Sequence, residues 1–199
     1  MSSVSAQAYQ LSSAEHIYLS PELSIYQHHG GPADLQEVQQ AYAQHAFEPP
    51  RDSAIASNFG LTDAQIWLRV ELDTATTSPS RWLLEVAHAS LDDVDIYLAR
   101  DAEPFLHQHS GDHIAFDEKP IKHRNHVFEL QLEPNSHYTL YLSIASEGTL
   151  AAPVSLWQPE ALWHEDQSSY SALSIYYGLL LALLVYNLFL YLSLRDPLF

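Results

Sequence analysis

Three side chains at alternating strand positions carry the most suggestive chemistry in this chain of 199 residues. Trp67 and Arg69 alternate with the apolar Ile66, Leu68, Val70 and Leu72, and Tyr97 alternates with Val94, Ile96 and Leu98, so all three fall on faces turned away from a core. Glu71, Glu85, Asp93 and Asp95 occupy the same kind of position. Aromatic rings beside carboxylates and a guanidinium suit a sugar, whose C–H face stacks on a ring while its hydroxyls take charged hydrogen-bond partners. The candidate ligand contacts are therefore Trp67, Arg69, Glu85 and Tyr97, with Arg124 at nearby loops as a second location. A covering role competes for Trp67, whose ring would equally pack against a loop or a helix at 34 to 47.

Twelve histidines raise metal chemistry as an alternative. His107-Gln108-His109 places two imidazoles on one strand face, and His113, His123 and His126 follow within twenty residues. The alternative ligand set is His107, His109 and His113, although no spacing matches a compact zinc motif. The same His107–His126 stretch offers a pH response, because imidazole ordinarily titrates at about 6.5. Catalysis has less behind it. Glu71 with Glu85, or Asp93 with Asp95, could serve glycoside hydrolysis, but neighbouring carboxylates on strands ordinarily keep a face solvated. No Gly-x-Ser-x-Gly, His-Glu-x-x-His or phosphate loop occurs. Neither a cofactor nor an enzymatic activity is expected, and the absence of Cys removes disulfides, thiol nucleophiles and Cys-ligated zinc.

The elements that must position these groups are mostly short strands. Apolar positions alternate along Ile66–Leu72, Trp82–Val86, Val94–Leu98, Phe128–Leu132, Leu140–Ile144 and Val154–Leu156, with two brief runs at Ile17–Leu19 and Leu23–Tyr26. One helix interrupts them: Asp34 and Glu37 form a capping box, Leu35, Val38 and Tyr42 follow at helical spacing, and Glu48-Pro49-Pro50 ends it. This pattern predicts a mainly β fold, an antiparallel jelly roll or β-sandwich with one short inserted helix, followed by one transmembrane α-helix.

Charge separates the two parts. Of 25 carboxylates and 8 Lys or Arg, all but Asp196 and Arg195 lie at or before position 166, so the net charge of -17 belongs to the front part. Such a surface repels phosphate backbones, which excludes nucleic acid as a partner. Leu173–Leu194 is an uncharged run of 22 residues, ten of them Leu. As a helix it reaches about 33 Å, enough to cross the hydrocarbon core. Tyr176, Tyr177 and Tyr191 sit near its ends. Arg195 follows at once while Glu165 and Asp166 precede, which places the C-terminus in the cytoplasm and the acidic domain outside. Asn187 within the span reads as a helix-packing hydrogen bonder. Residues 1–14 read as a leader or the remnant of a signal peptide, since Ser5-Ala6-Gln7-Ala8 looks like the small-x-small end of a cleavage site. The sensor domain is then 15–158, a connector with a short helix 159–171, the span 172–195, and 196–199 the start of the cytoplasmic side.

Several blocks in order carry a family pattern: Asn58-Phe59-Gly60, Ile66-Trp67-Leu68-Arg69, Trp82-Leu83-Leu84-Glu85, Leu91-Asp92-Asp93-Val94-Asp95-Ile96-Tyr97 and Ser110-Gly111-Asp112. Pro120-Ile121-Lys122-His123-Arg124-Asn125 leads into Val127-Phe128, and Tyr176-Tyr177-Gly178-Leu179 through Phe189 and Arg195-Asp196 close the series. From about 16 to 199 the chain resembles the type-two extracellular domain, with the first membrane helix, of bacterial seven-transmembrane receptors with diverse intracellular signalling modules. The resemblance implies a periplasmic jelly-roll sensor, related in fold to carbohydrate-binding modules, at a bacterial inner membrane. Lys119, where the pattern has a second Arg, and the plain Ala145-Ser146 depart from it in ways that weaken anion recognition by those groups. The partners implied are a small-molecule or glycan ligand, the membrane, a second copy in a homodimer, and a cytoplasmic signalling module in the full-length receptor.

Overall fold

A computed structural model describes residues 8–50, 58–101 and 104–193, without the side chains of 168–172. Arg195, on which the orientation rests, and residues 1–7 lie outside the described residues. The chain divides into two compact units, residues 1–159 and 160–199.

The first unit is built from strands. In chain order they are β1 (Tyr9–Leu11), β2 (His16–Tyr18), β3 (Ser24–His28), β4 (Asn58–Leu61), β5 (Gln65–Thr74) and β6 (Arg81–Val86). Then come β7 (Asp93–Arg100), β8 (Leu106–Ser110), β9 (His126–Gln131), β10 (His137–Ala145), β11 (Thr149–Ala151) and β12 (Val154–Trp157). One sheet runs β1-β5-β10-β7-β8 with β3 also on β5, a second runs β2-β12-β6-β9, and β4 pairs with β11. Pairing is antiparallel except where β1 joins β5 in parallel. That strand joins Tyr9–Leu11 to the edge of β5.

Period two decides which side chains enter the core. Ile66, Leu68, Val70 and Leu72 of β5, with Ile96 of β7 and Leu140, Leu142 and Ile144 of β10, meet Trp82, Leu84, Phe128, Leu130 and Leu156 of the second sheet in one buried cluster. The two sheets thus pack face to face, and the alternate residues of β5, β7 and β10 are forced onto the outer face.

Helix α1 (Leu35–Ala43) begins as the sequence predicts: Glu37 N–H donates to Asp34 Oδ1 at 2.8 Å and Asp34 N–H to Glu37 Oε2 at 3.4 Å. It ends at Ala43, well short of the expected Pro49. His45 takes φ 60° and turns the chain, and Glu48 then bridges Ile25 as an extended residue.

The second unit is formed by α2 (Pro159–Ser193), a single helix with no break between the expected connector and the span. Leu173–Ser193 within it is long and apolar enough to cross a membrane and has no buried residue. Asn187 donates to the Leu183 carbonyl of the same helix at 2.8 Å, so its amide is held locally.

Candidate ligand-binding site

Cross-strand register assembles the outer face of the first sheet. Tyr26, Trp67, Ser143, Asp95 and His109 form one row across β3, β5, β10, β7 and β8, and Ser24, Arg69, Tyr141, Tyr97 and His107 form the next. Side chains directly opposite one another on an antiparallel pair share a face. Trp67, Arg69 and Tyr97, singled out from sequence, are therefore brought together.

Arg69 sits at the centre and is only 5% exposed. Its Nε donates to the Tyr141 hydroxyl at 3.1 Å, one Nη pairs with Glu71 Oε1, and the guanidinium carbon lies 3.7 Å from the Tyr42 ring centroid of α1. Burial works against the charged form, but the Glu71 and Tyr141 contacts outweigh it and push the Arg69 pKa up, so the cation is permanent. Burial raises the pKa of the Tyr141 hydroxyl, with Arg69 opposing, and the phenol stays protonated.

Trp67 is 1% exposed, packed in a second apolar cluster with Ala33, Val38 and Tyr141 and flanked by Leu35, Phe47 and Tyr97. The covering role is thus the one the ring performs in this conformation: α1 lies over it. Gln65 holds that cover, accepting from Ala33 N–H at 2.7 Å and donating to Ser143 Oγ at 2.7 Å. Beyond the cover the face continues as a ladder of rings. Trp67 and Tyr97 centroids are 5.8 Å apart at 22°, and Tyr97 and His107 are 4.6 Å apart at 11°. Tyr97 is half-buried; burial, then Asp95 and Asp34, raises its pKa. His107 Nε2 and His109 Nδ1 both contact Asp95 Oδ1, at 2.7 and 2.9 Å.

The remaining candidates lie elsewhere. Glu85 is on β6 of the other sheet, where it accepts from Asn125 Nδ2 at 2.7 Å and Trp157 Nε1 at 2.8 Å. Arg124 is exposed in the turn before β9, next to that Asn125. His113 does not join His107 and His109. It lines a cavity of about 690 Å³ at the strand ends with Asp63, Asp92, Asp93 and Glu147. Among the described residues no three His, Asp or Glu side chains converge to hold a metal ion. His126, from the same sequence stretch, is wholly buried with Nδ1 2.9 Å from Ser110 Oγ. Burial first, then the Lys119 charge, pushes its pKa down to about 4.

Sequence reasoning did not pick out Tyr141, Ser143, Gln65 or Tyr42. The first two alternate with Leu140, Leu142 and Ile144, so the period that flagged Trp67 could have found them; Tyr42 needed the docking of α1.

The family model of the 7TMR-DISM extracellular 2 domain matches residues 20–158. No curated protein matches the chain.

Proposed function

The chain belongs to the 7TMR-DISM extracellular 2 family, and from that premise we propose that the outer face of its first sheet receives a saccharide-like ligand. Occupancy is passed through a membrane region to a signalling module on the far side. The chain comprises an extracellular sensor-type domain of a membrane receptor, followed by a helix able to cross the bilayer. The proposed orientation, with the acidic domain in the periplasm and the C-terminus in the cytoplasm of a bacterial inner-membrane protein, rests on Arg195 following the span while Glu165 and Asp166 precede it. The strand orders β5-β10-β7-β8 and β2-β12-β6-β9 favour the jelly-roll reading.

One observation carries the ligand reading: the aromatic ladder Trp67, Tyr97 and His107 runs beside Arg69, Tyr141 and Asp95 on a single face. Stacking surfaces next to directional polar groups are the complement of a sugar ring. Only a ligand that prefers one of two states of the domain would transmit a signal.

A glycan array probed with the full chain in detergent tests this. Binding of at least one saccharide class is expected. Tyr97→Ala, which trims a half-exposed ring without opening the core, should weaken it about 2- to 10-fold. Undiminished binding in that variant removes the face from the account.

A second reading, an acid-responsive domain, has its own observation in the two imidazoles that share Asp95 Oδ1. His107→Gln combined with His109→Gln should abolish any change in ligand affinity between pH 7.5 and 5.5, and a change that persists in the variant rules this pair out.

A further inference from the structure

Among the described residues, two buried hydrogen-bond donors on the outer face have no partner: Trp67 Nε1 and one Nη of Arg69, here Nη1. They are two residues apart on β5 and on the same side, so their backbones are about 7 Å apart. Both side chains are more than nine-tenths buried. The contrast with other indoles is direct, since Trp82 Nε1 donates to the Pro79 carbonyl at 2.9 Å and Trp157 Nε1 to Glu85 at 2.8 Å. Leaving such a group unsatisfied lowers the folded-to-unfolded ratio by about 5- to 150-fold, and folded proteins rarely tolerate it without a reason.

A third donor belongs to the set. The Tyr141 hydroxyl accepts from Arg69 Nε, which leaves its own hydrogen to give. Indole N–H, guanidinium N–H and phenol O–H are all donors, and Glu71, the carboxylate paired with Arg69, is already engaged with another Nη of its guanidinium. The unmet demand is for acceptor oxygens alone. A neutral hydroxyl spends part of its capacity as a donor, whereas a carboxylate brings only acceptors and can face a guanidinium and a second N–H together.

We propose that Trp67, Arg69 and Tyr141 form an oxyanion-binding subsite beneath α1, selective for a sugar acid whose ring rests on the Tyr97–His107 ladder. The subsite rests on the reading of this face as a ligand site and names the ligand class for it. Entry requires α1 to lift. Its tether begins at Gly30 and Gly31, both at positive φ (115° and 119°), and its hold on the sheet includes the Ala33–Gln65 hydrogen bond and the Tyr42 ring over Arg69. The apparent affinity is lower than the intrinsic one by the fraction of time the helix is open. The field of a chain at -17 opposes an anion at long range. Salt screens that field beyond about 8 Å and leaves the buried donors untouched, so binding of the acid should be maintained or strengthened as salt rises.

The test compares a panel of uronate oligosaccharides with their methyl esters, which keep the ring and lose the charge, by calorimetry on the full chain in detergent. At least one acid should bind about 10- to 100-fold more tightly than its ester, the factor that hydrogen bonds to a charged group supply. Trp67→Phe removes the indole N–H and retains an aromatic filler. It should weaken the acid several-fold and the ester by less; Arg69→Gln should bring acid and ester level. Should Arg69→Gln fail to fold, the wild-type comparison and Trp67→Phe still decide. Equal binding of acid and ester overturns the oxyanion subsite and leaves the saccharide reading standing. Binding of neither, alongside array hits among neutral sugars, also overturns the subsite alone. An array without any hit removes the saccharide reading itself.

Discussion

Acidifying the chain from pH 7 to pH 4 should destabilise its β domain by about 3 kcal/mol through one side chain, His126. The imidazole is fully buried on β9, next to Ser110, with Lys119, His88 and Asp112 as the charged or titratable groups that bear on it. Burial is the largest influence and Lys119 the next, and together they hold the pKa near about 4 against 6.5 for the free side chain. The sign follows from which state takes the proton. Above pH 6.5 His126 is neutral folded or unfolded and contributes no pH dependence. As the pH falls through 6.5 the unfolded chain protonates first, so stability is lost progressively and levels off only below about 4. From 6.5 to about 4, at roughly 1.36 kcal/mol per pH unit, the full loss is about 3 kcal/mol. Urea unfolding at half-unit pH steps, followed by Trp fluorescence, measures it in the wild type and in His126→Gln, which stays neutral. The stability of the wild type relative to the variant should fall by about that amount toward pH 4. Glu129, held below the usual carboxylate range by the Arg81 hydrogen bond, loses its contribution in acid in both chains and cancels. A parallel pair of curves, or an NMR titration placing His126 near 6.5, refutes the reasoning.

Three further outcomes follow from local geometry. Gly111→Ala places a Cβ about 2.0 Å from the Asp92 carbonyl oxygen and must disturb the 2.8 Å Asp112–Leu91 backbone hydrogen bond; a loss of about 1–3 kcal/mol is expected in urea unfolding, and an unchanged midpoint contradicts the close approach. Asp34→Ala deletes the α1 cap and should cost about 1 kcal/mol, with Trp67 becoming more accessible to acrylamide because α1 covers it; unaltered quenching would separate the helix from the ring. Glu85→Leu strands the Asn125 and Trp157 donors and should destabilise by about 1–3 kcal/mol. Because Glu85 belongs to the other sheet, ligand affinity measured on the folded fraction should not change, and a specific loss of affinity would move the site.

What could be read in the sequence divides along a physical line. Long strands with strict alternation, such as Ile66–Leu72 and Leu140–Ile144, declare both their existence and their inward face, because one face is buried along the whole length. The short β1, β4 and β11 carry three or four residues each and too few alternations to register, while β8, which reads Leu-His-Gln-His-Ser, shows only in its paired His107 and His109. The capping box is a local hydrogen-bond pattern and was legible; the end of α1 depended on His45 turning over, which no proline marks. Alternation also says which side chains share a face and cannot say what lies across it. Hence Trp67, Arg69 and Tyr97 were grouped from sequence, Glu85 was placed with them although it sits on another sheet, and the cover over Trp67 was one reading among two.

That cover ties the site to the order of α1. A helix of nine residues is marginal in water by itself, because nucleation is costly and few intrahelical hydrogen bonds follow. Its persistence therefore depends on its two attachments: the Asp34 cap at one end, and the burial of Val38 and the Tyr42–Arg69 contact along its inner side. A ligand group that takes the Arg69 guanidinium competes with Tyr42 for the same charge. Displacement would then remove part of what keeps α1 helical, so lifting and unwinding are coupled, and the change in the domain is larger than the change at the contact. This gives the face two discrete states, covered with α1 wound or occupied with α1 released, and a ligand that binds only the second biases the equilibrium by its whole affinity. Circular dichroism should accordingly show a small loss of helix on saturation with the ligand. A gain, or an unchanged spectrum with binding intact, would mean that the ligand settles on the open Tyr97–His107 end and leaves α1 in place.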